Sequence, residues 1–398
     1  MSAPRRPVAV AAVAAALLLA ACTGDPAPRP DNPEPVRPPW KEAVLPAPPG
    51  PAGRLMVRDA TTCGDRWYVA GGVITPDGET RPALWSTMDA AAASGWSPVP
   101  IDPVDDYYAI RSILYAIGCR DGRIAIIGAR SGGGHGNPRV RTFYGTAQGV
   151  TAVPSTDFQL YGGPAQVSVN RMAGGPRGWL IAGNREGGAA VWNSPDATKF
   201  TIVENVPVLS NDAALSTAAN DAVAVDAGWL IVGSGRPTDR IDRDPLAWTS
   251  PDGRTFTRVP LPGGPEDEAA QRVLRTPDGI LAVGVAGPGF AAWRGDPSGA
   301  AGWQAAGRFG ATGTGTIAGV ESAAVLDGHA LAATVGADGH RLWSGDLAGN
   351  GWRPVDLPAP VPPGGFTAAA VAAQGGTALL LADDGVSGKA WAAPFTGS

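Results

Sequence analysis

Few side chains in this 398-residue sequence are placed to do chemistry. Its three histidines, His135, His329 and His340, and three cysteines, Cys22, Cys63 and Cys119, lie too far apart to make a zinc pattern, which needs ligand pairs separated by roughly two to five residues. Gly385-Val386-Ser387-Gly388-Lys389 has the residue types of a phosphate-binding loop but is too short, and Gly313-Thr314-Gly315 lacks the flanking strand and helix of a dinucleotide site. No metal and no cofactor are implied. The remaining polar chemistry sits in long connections: Asp105, Asp106, Tyr107 and Tyr108; then His135, Arg139 and Arg141; then Arg236, Asp239 and Arg240; then Glu266. Paired aromatics beside acids suit sugar or peptide contacts, so these residues form the candidate binding face.

The elements that must carry those connections recur. Short apolar segments containing a glycine appear at Trp67 to Gly71, Ile124 to Gly128, Trp179 to Gly183, Trp229 to Gly233 and Ile280 to Gly284, with weaker copies at Ala330 to Thr334 and Ala378 to Ala382. Their β-branched and aromatic content marks buried strands, each expected to end at its glycine. The glycines at 71, 128, 183, 233 and 284 set a period of 50 to 57 residues. Within each period an earlier mixed strand, a following strand with one aromatic, and a fourth strand closing on proline complete a unit. The aromatics are Trp85, Phe143, Trp192, Trp248, Trp293, Trp343 and Trp391. Four short strands per unit, repeated seven times, predict an all-β, seven-bladed β-propeller.

The last unit lacks its fourth strand. Trp40-Lys41-Glu42-Ala43-Val44-Leu45-Pro46 matches Trp352-Arg353-Pro354-Val355-Asp356-Leu357-Pro358, so the N-terminal strand is expected to complete blade seven and close the ring. Residues 40–398 are read as the propeller. Its connections between strands two and three, and between blades, are the long ones and emerge on one face, which gathers the candidate binding residues around one mouth.

The N-terminus resembles bacterial lipoprotein precursors: Arg5 and Arg6, an apolar run from Val8 to Leu19, then Leu19-Ala20-Ala21-Cys22. The resemblance implies a signal peptide over residues 1–21 and a Cys22 that carries diacylglyceryl and acyl chains such as palmitate. The membrane is then a partner through the lipid anchor, with the chain facing outside the cytoplasm. Residues 22–39 hold the lipidated cysteine and a proline-rich linker, with seven prolines from Thr23 to Pro39. Removing residues 1–21 takes two of the 31 basic residues and none of the 36 acidic ones, leaving seven excess negative charges, which opposes nucleic acid as a partner. In an oxidising compartment Cys63 and Cys119, at matching places in blades one and two, are expected to pair as a disulfide.

Ser250-Pro251-Asp252-Gly253-Arg254-Thr255-Phe256 resembles the Asp-box of sialidase-like and BNR-repeat propellers, and Ser194-Pro195-Asp196-Ala197-Thr198-Lys199-Phe200 is a partial copy. In that family the box is a structural turn. The family's chemistry also uses an Arg-Ile-Pro segment in the first blade, where this chain has Gly53-Arg54-Leu55-Met56-Val57-Arg58. No obvious nucleophile is encoded. The sequence is therefore read as a ligand-binding or scaffold module acting through its loop-rich face, on a cell-wall glycan, a peptide or another surface protein. The alternative is a sialidase-like glycosidase or other carbohydrate-active enzyme using Asp105, Asp106 or Glu266.

Overall fold

The computed structural model describes residues 33–92, 95–132, 137–154, 157–314 and 318–395. Pro35–Ser398 form one compact unit of seven sheets, each built around consecutive antiparallel strands, three of them in the last sheet and four in the others. Blade one runs Arg54–Cys63, Arg66–Ile74, Thr80–Thr87, Ser97–Pro98, and the other blades repeat that order. Blade two adds a fifth, two-residue strand, Ile101–Asp102, parallel to its outermost strand. The one helix among the described residues is Tyr107–Ile110, at the junction of blades one and two.

The seventh blade closes as its missing strand requires. Lys41–Ala43 pairs antiparallel with Gly388–Pro394, in the register Glu42 opposite Trp391. The chain is docked even earlier, where Val36 bridges Val355 and exchanges hydrogen bonds with Pro354 O and Asp356 N at 2.8 and 2.9 Å. Trp40 then donates its indole N–H to Asp356 O at 2.8 Å.

No single core sits at the centre. The buried apolar side chains instead form seven larger clusters, each between two neighbouring blades, the one between blades seven and one completing the circle, and a small eighth of Val361, Ala382 and Trp391. The third-strand aromatics belong to these clusters, and Trp85, Phe143, Trp192 and Trp248 have no exposed surface. Their indoles also reach the segment leading in from the preceding blade: Trp85 to Pro46 O at 2.7 Å, Trp192 to Leu160 O at 2.6 Å, Trp248 to Val208 O at 2.8 Å and Trp293 to Pro262 O at 2.8 Å. Each tryptophan thus packs and caps one blade junction.

The Asp-box segment forms its turn. Asp252 accepts the Arg254 and Thr255 N–H groups at 2.8 and 2.7 Å, and Ser250 Oγ accepts that of Gly253 at 2.8 Å. The partial copy closes the same way, Asp196 accepting Thr198 N–H at 2.9 Å, with Ala197 held at φ +67° where Gly253 has +71°. Cys63 and Cys119 are bonded, their Cα atoms 5.3 Å apart, so the ends of the innermost strands of blades one and two are tied covalently.

Candidate ligand-binding mouth and channel

The innermost strands line the channel, and six of them carry a β-bulge at the same place. The extra residues are Arg58, Tyr115, Asn170, Asn220, Gln271 and Glu321. A bulge turns one additional side chain out of the ladder. Here each turned-out side chain ties blades together. Tyr115 Oη donates to Val169 O at 2.6 Å, Asn170 Nδ2 to Ala219 O at 2.8 Å and Asn220 Nδ2 to Ala270 O at 2.8 Å, while Gln271 Oε1 accepts from Val320 N at 2.7 Å and Glu321 Oε2 from Ala369 N at 2.9 Å. Where the next blade is bulged, the atom reached belongs to the residue just before its bulge. Arg58 reaches back to blade seven, 2.6 Å from Asp383.

The bulge also explains the recurrent glycine. The strands do not end there, because Arg66–Ile74, Gly228–Pro237 and Gly279–Ala286 all run past it. A Cβ on Gly71, Gly233 or Gly284 would lie 1.9 Å from the carbonyl oxygen of Met56, Ala218 or Ala269, two residues before the bulge. Blade six uses Thr334 at this place, its hydroxyl accepting the Trp343 indole N–H at 3.0 Å.

The residue after each bulge forms a second layer. Asp59 accepts Ile117 N–H at 3.0 Å and pairs with Arg171 at 2.9 Å, Asp221 accepts Val273 N–H at 3.1 Å, and Ser322 accepts Val371 N–H at 3.1 Å. Burial holds the Asp221 carboxyl above the ordinary carboxylate range, against the pull of Arg272 and Arg171. Burial likewise pushes the Tyr115 phenol up, which keeps it a protonated donor at neutral pH.

Above this ring, on the face of the long connections, a vestibule of about 520 Å³ opens among blades one, two, three and seven. Met56, Ile74, Ile113, Val140, Val169 and Phe366 give it apolar walls, and Arg58, Tyr115 and Gln166 point polar groups into its lining. Phe366 is 67% and Val167 59% exposed, so the rim shows apolar surface to solvent. Gln166 donates to Pro138 O at 2.8 Å, while its buried Oε1 has no partner among the described residues. Behind Phe366, Thr367 Oγ1 lies 3.0 Å from His340 Nε2, and His340 Nδ1 lies 2.8 Å from Glu321.

The candidate residues read from the sequence stand elsewhere on the molecule. Asp106 caps the short helix through Tyr108 N and Ala109 N and pairs with Arg141 at 2.8 Å. Tyr107 and Tyr108 meet edge to face at 5.2 Å, the guanidinium of Arg111 lies 4.0 Å over Tyr107, and that of Arg141 lies 5.1 Å over Tyr108. Asp105 is exposed beside them, and Arg139 covers the Phe158 ring at 4.3 Å. Arg240 pairs with Asp244, Arg236 and Asp239 are exposed, and Glu266 pairs with Arg308 at 2.6 Å. None of these lines the vestibule or the channel below it. His135 and Cys22 lie outside the described residues.

The ring of bulge residues escaped sequence reading, although it has a positional signature: each stands thirteen residues before the recurrent glycine, or before Thr334 in blade six. The fold and its channel define a seven-bladed β-propeller. No protein-family model matches the chain, and no curated protein does. Among solved structures it is similar to YCF48 from Cyanidioschyzon merolae, with a TM-score of 0.55 and 14% identity over 89% of this chain and 99% of that one. A sialidase from Trypanosoma rangeli is also similar, with a TM-score of 0.43 and 9% identity over 89% of this chain and 55% of that one. The first likeness is one of fold.

Proposed function

We propose that this chain is a lipid-anchored binding module on the outer side of the cytoplasmic membrane, and that its ligand enters the vestibule at the propeller mouth. The observation that carries this reading is the vestibule itself: about 520 Å³, apolar-walled, open on the face of the long connections, with a few polar groups converging on it. Pockets of that size and character on a rigid scaffold are where ligands bind. A ligand suited to this pocket carries an apolar portion beside polar groups that meet Arg58, Tyr115 and Gln166. Peptides and glycan fragments both offer that combination.

The anchor rests on Leu19-Ala20-Ala21-Cys22. The hydrolytic alternative has little to work with, because the described wall of the vestibule contains no Asp or Glu, and Asp106 and Glu266 are engaged on separate blade junctions. A peptide, glycan and peptidoglycan-fragment array probed with the full chain should return hits that Val167→Asp abolishes. Hits that survive Val167→Asp and Phe366→Asp unchanged would move the site elsewhere. Fractionation of expressing cells should find the wild type with membranes and Cys22→Ser in the soluble fraction.

A further inference from the structure

Directly beneath the vestibule, and sharing Tyr115 and Val169 with it, the channel holds a second cavity of about 320 Å³. At roughly 30 Å³ per water it has room for about ten waters, or for a small solute and several waters. Its polar wall is Tyr115, Asn170, Arg171, Asn220, Gln271 and Arg272. The two guanidinia differ in their partners. Arg171 has Asp59 at 2.9 Å. Arg272 donates Nε to Glu321 O at 2.8 Å and Nη1 to Gln271 O, both main-chain carbonyls, and no carboxylate among the described residues comes within ion-pairing distance of it.

A guanidinium enclosed by protein normally has a counter-ion. Asp221, Asp59 and Glu321 act on its charge without pairing with it, and the Asp221 oxygens accept the N–H groups of Ala222 and Val273 at 2.8 and 3.1 Å. Enclosure, and then the charge of Arg171, pull the Arg272 guanidinium down to about 9 against the opposing pull of Asp221, Asp59 and Glu321, so it remains cationic at neutral pH. Gln271 commits its carbonyl to Val320 N, which leaves its amide N–H groups as donors beside Arg272.

We infer that the channel cavity is an oxyanion site, in which Arg272, assisted by Gln271 and Arg171, binds a phosphate- or sulfate-like group. The group is supplied either as a free inorganic anion or as the head of an amphiphile whose tail occupies the vestibule. The site stands on the channel geometry and does not require the vestibule to bind anything.

The test is calorimetry on the full chain with inorganic phosphate, inorganic sulfate, and a short-chain phosphatidate below its micelle concentration, each against chloride at equal ionic strength. Saturable one-to-one binding of phosphate or sulfate supports the site with a free anion as its source. Binding of the phosphatidate alone supports it with a head group as its source. Arg272→Gln should weaken whichever binds by about ten- to a hundredfold, the range for a charged hydrogen bond. Gln271→Glu keeps an acceptor for Val320 N and places a carboxylate in the cavity, so it should abolish binding while the fold persists. A wild type that binds none of the three above the chloride control overturns the inference, as does a Gln271→Glu variant that binds like wild type. Phe366→Asp separates the two readings, since it should weaken the phosphatidate and leave inorganic phosphate unchanged.

Discussion

Asp59 of blade one and Arg171 of blade three meet at 2.9 Å inside the channel, reaching past blade two. Asp59 holds blade two as well, through Ile117 N–H at 3.0 Å, so one carboxylate fastens three consecutive blades. Both side chains are largely buried, 8% and 17% exposed. Removing one partner of such a pair leaves an uncompensated charge and costs about 3–5 kcal/mol. Asp59→Ala and Arg171→Met should each lower the unfolding free energy measured in urea by that order, and the double substitution should cost less than their sum.

The recurrent glycine makes a sharper steric prediction. At Gly71 a methyl group would overlap Met56 O at 1.9 Å, and backbone cannot yield as a side-chain tip can. Gly71→Ala should therefore lose about 3 kcal/mol, the upper range for overpacking. Gly64→Ala meets nothing within 4 Å and faces only the penalty of its φ of +64°, about 1 kcal/mol. Thermal melts of the two variants should rank in that order.

The Cys63–Cys119 bond spans 56 residues, for which chain-entropy reasoning gives about 4 kcal/mol. Cys63→Ser with Cys119→Ser should lower the denaturation midpoint accordingly. Thiol titration of the unfolded, unreduced chain should find neither cysteine free.

Acid should weaken the hairpin turns. The Asp252 carboxyl is held below its ordinary 3.8, first by Thr255 N–H, because the ionised form is the better acceptor. A depressed folded value means its contribution is present above the unfolded value and is lost as pH falls through the folded one. Stability should thus decline below about pH 4, and Asp252→Asn, which keeps an acceptor but no charge, should flatten that decline in pH-dependent melts.

Ring closure depends on Lys41–Ala43 pairing with Gly388–Pro394 and on Trp85 reaching Pro46 O. Deleting residues 40–46 removes both and exposes an edge strand. The deletion should lower the melting temperature markedly and promote self-association seen by light scattering.

The scaffold was legible because its signals are periodic. A fixed aromatic in the third strand and the match between residues 40–46 and 352–358 identify both the blades and the closing strand. The channel was not legible, because its ring uses Arg, Tyr, Asn, Gln and Glu interchangeably, and only their position recurs. The long charged connections misdirected attention for a physical reason. Their charges satisfy one another, Asp106 with Arg141, Arg240 with Asp244 and Glu266 with Arg308, whereas the vestibule draws its walls from strand ends of four blades that no local motif links.

Calorimetry with one array hit distinguishes the propeller mouth from the rest of the surface as the place where the ligand binds. Wild type, Val167→Asp and Phe366→Asp should be compared with Tyr107→Ala, which alters the sequence-derived face away from the vestibule. Both rim variants should bind at least tenfold more weakly, and Tyr107→Ala should keep wild-type affinity. The reverse pattern, with the rim variants binding normally and Tyr107→Ala losing the ligand, would move binding away from the propeller mouth.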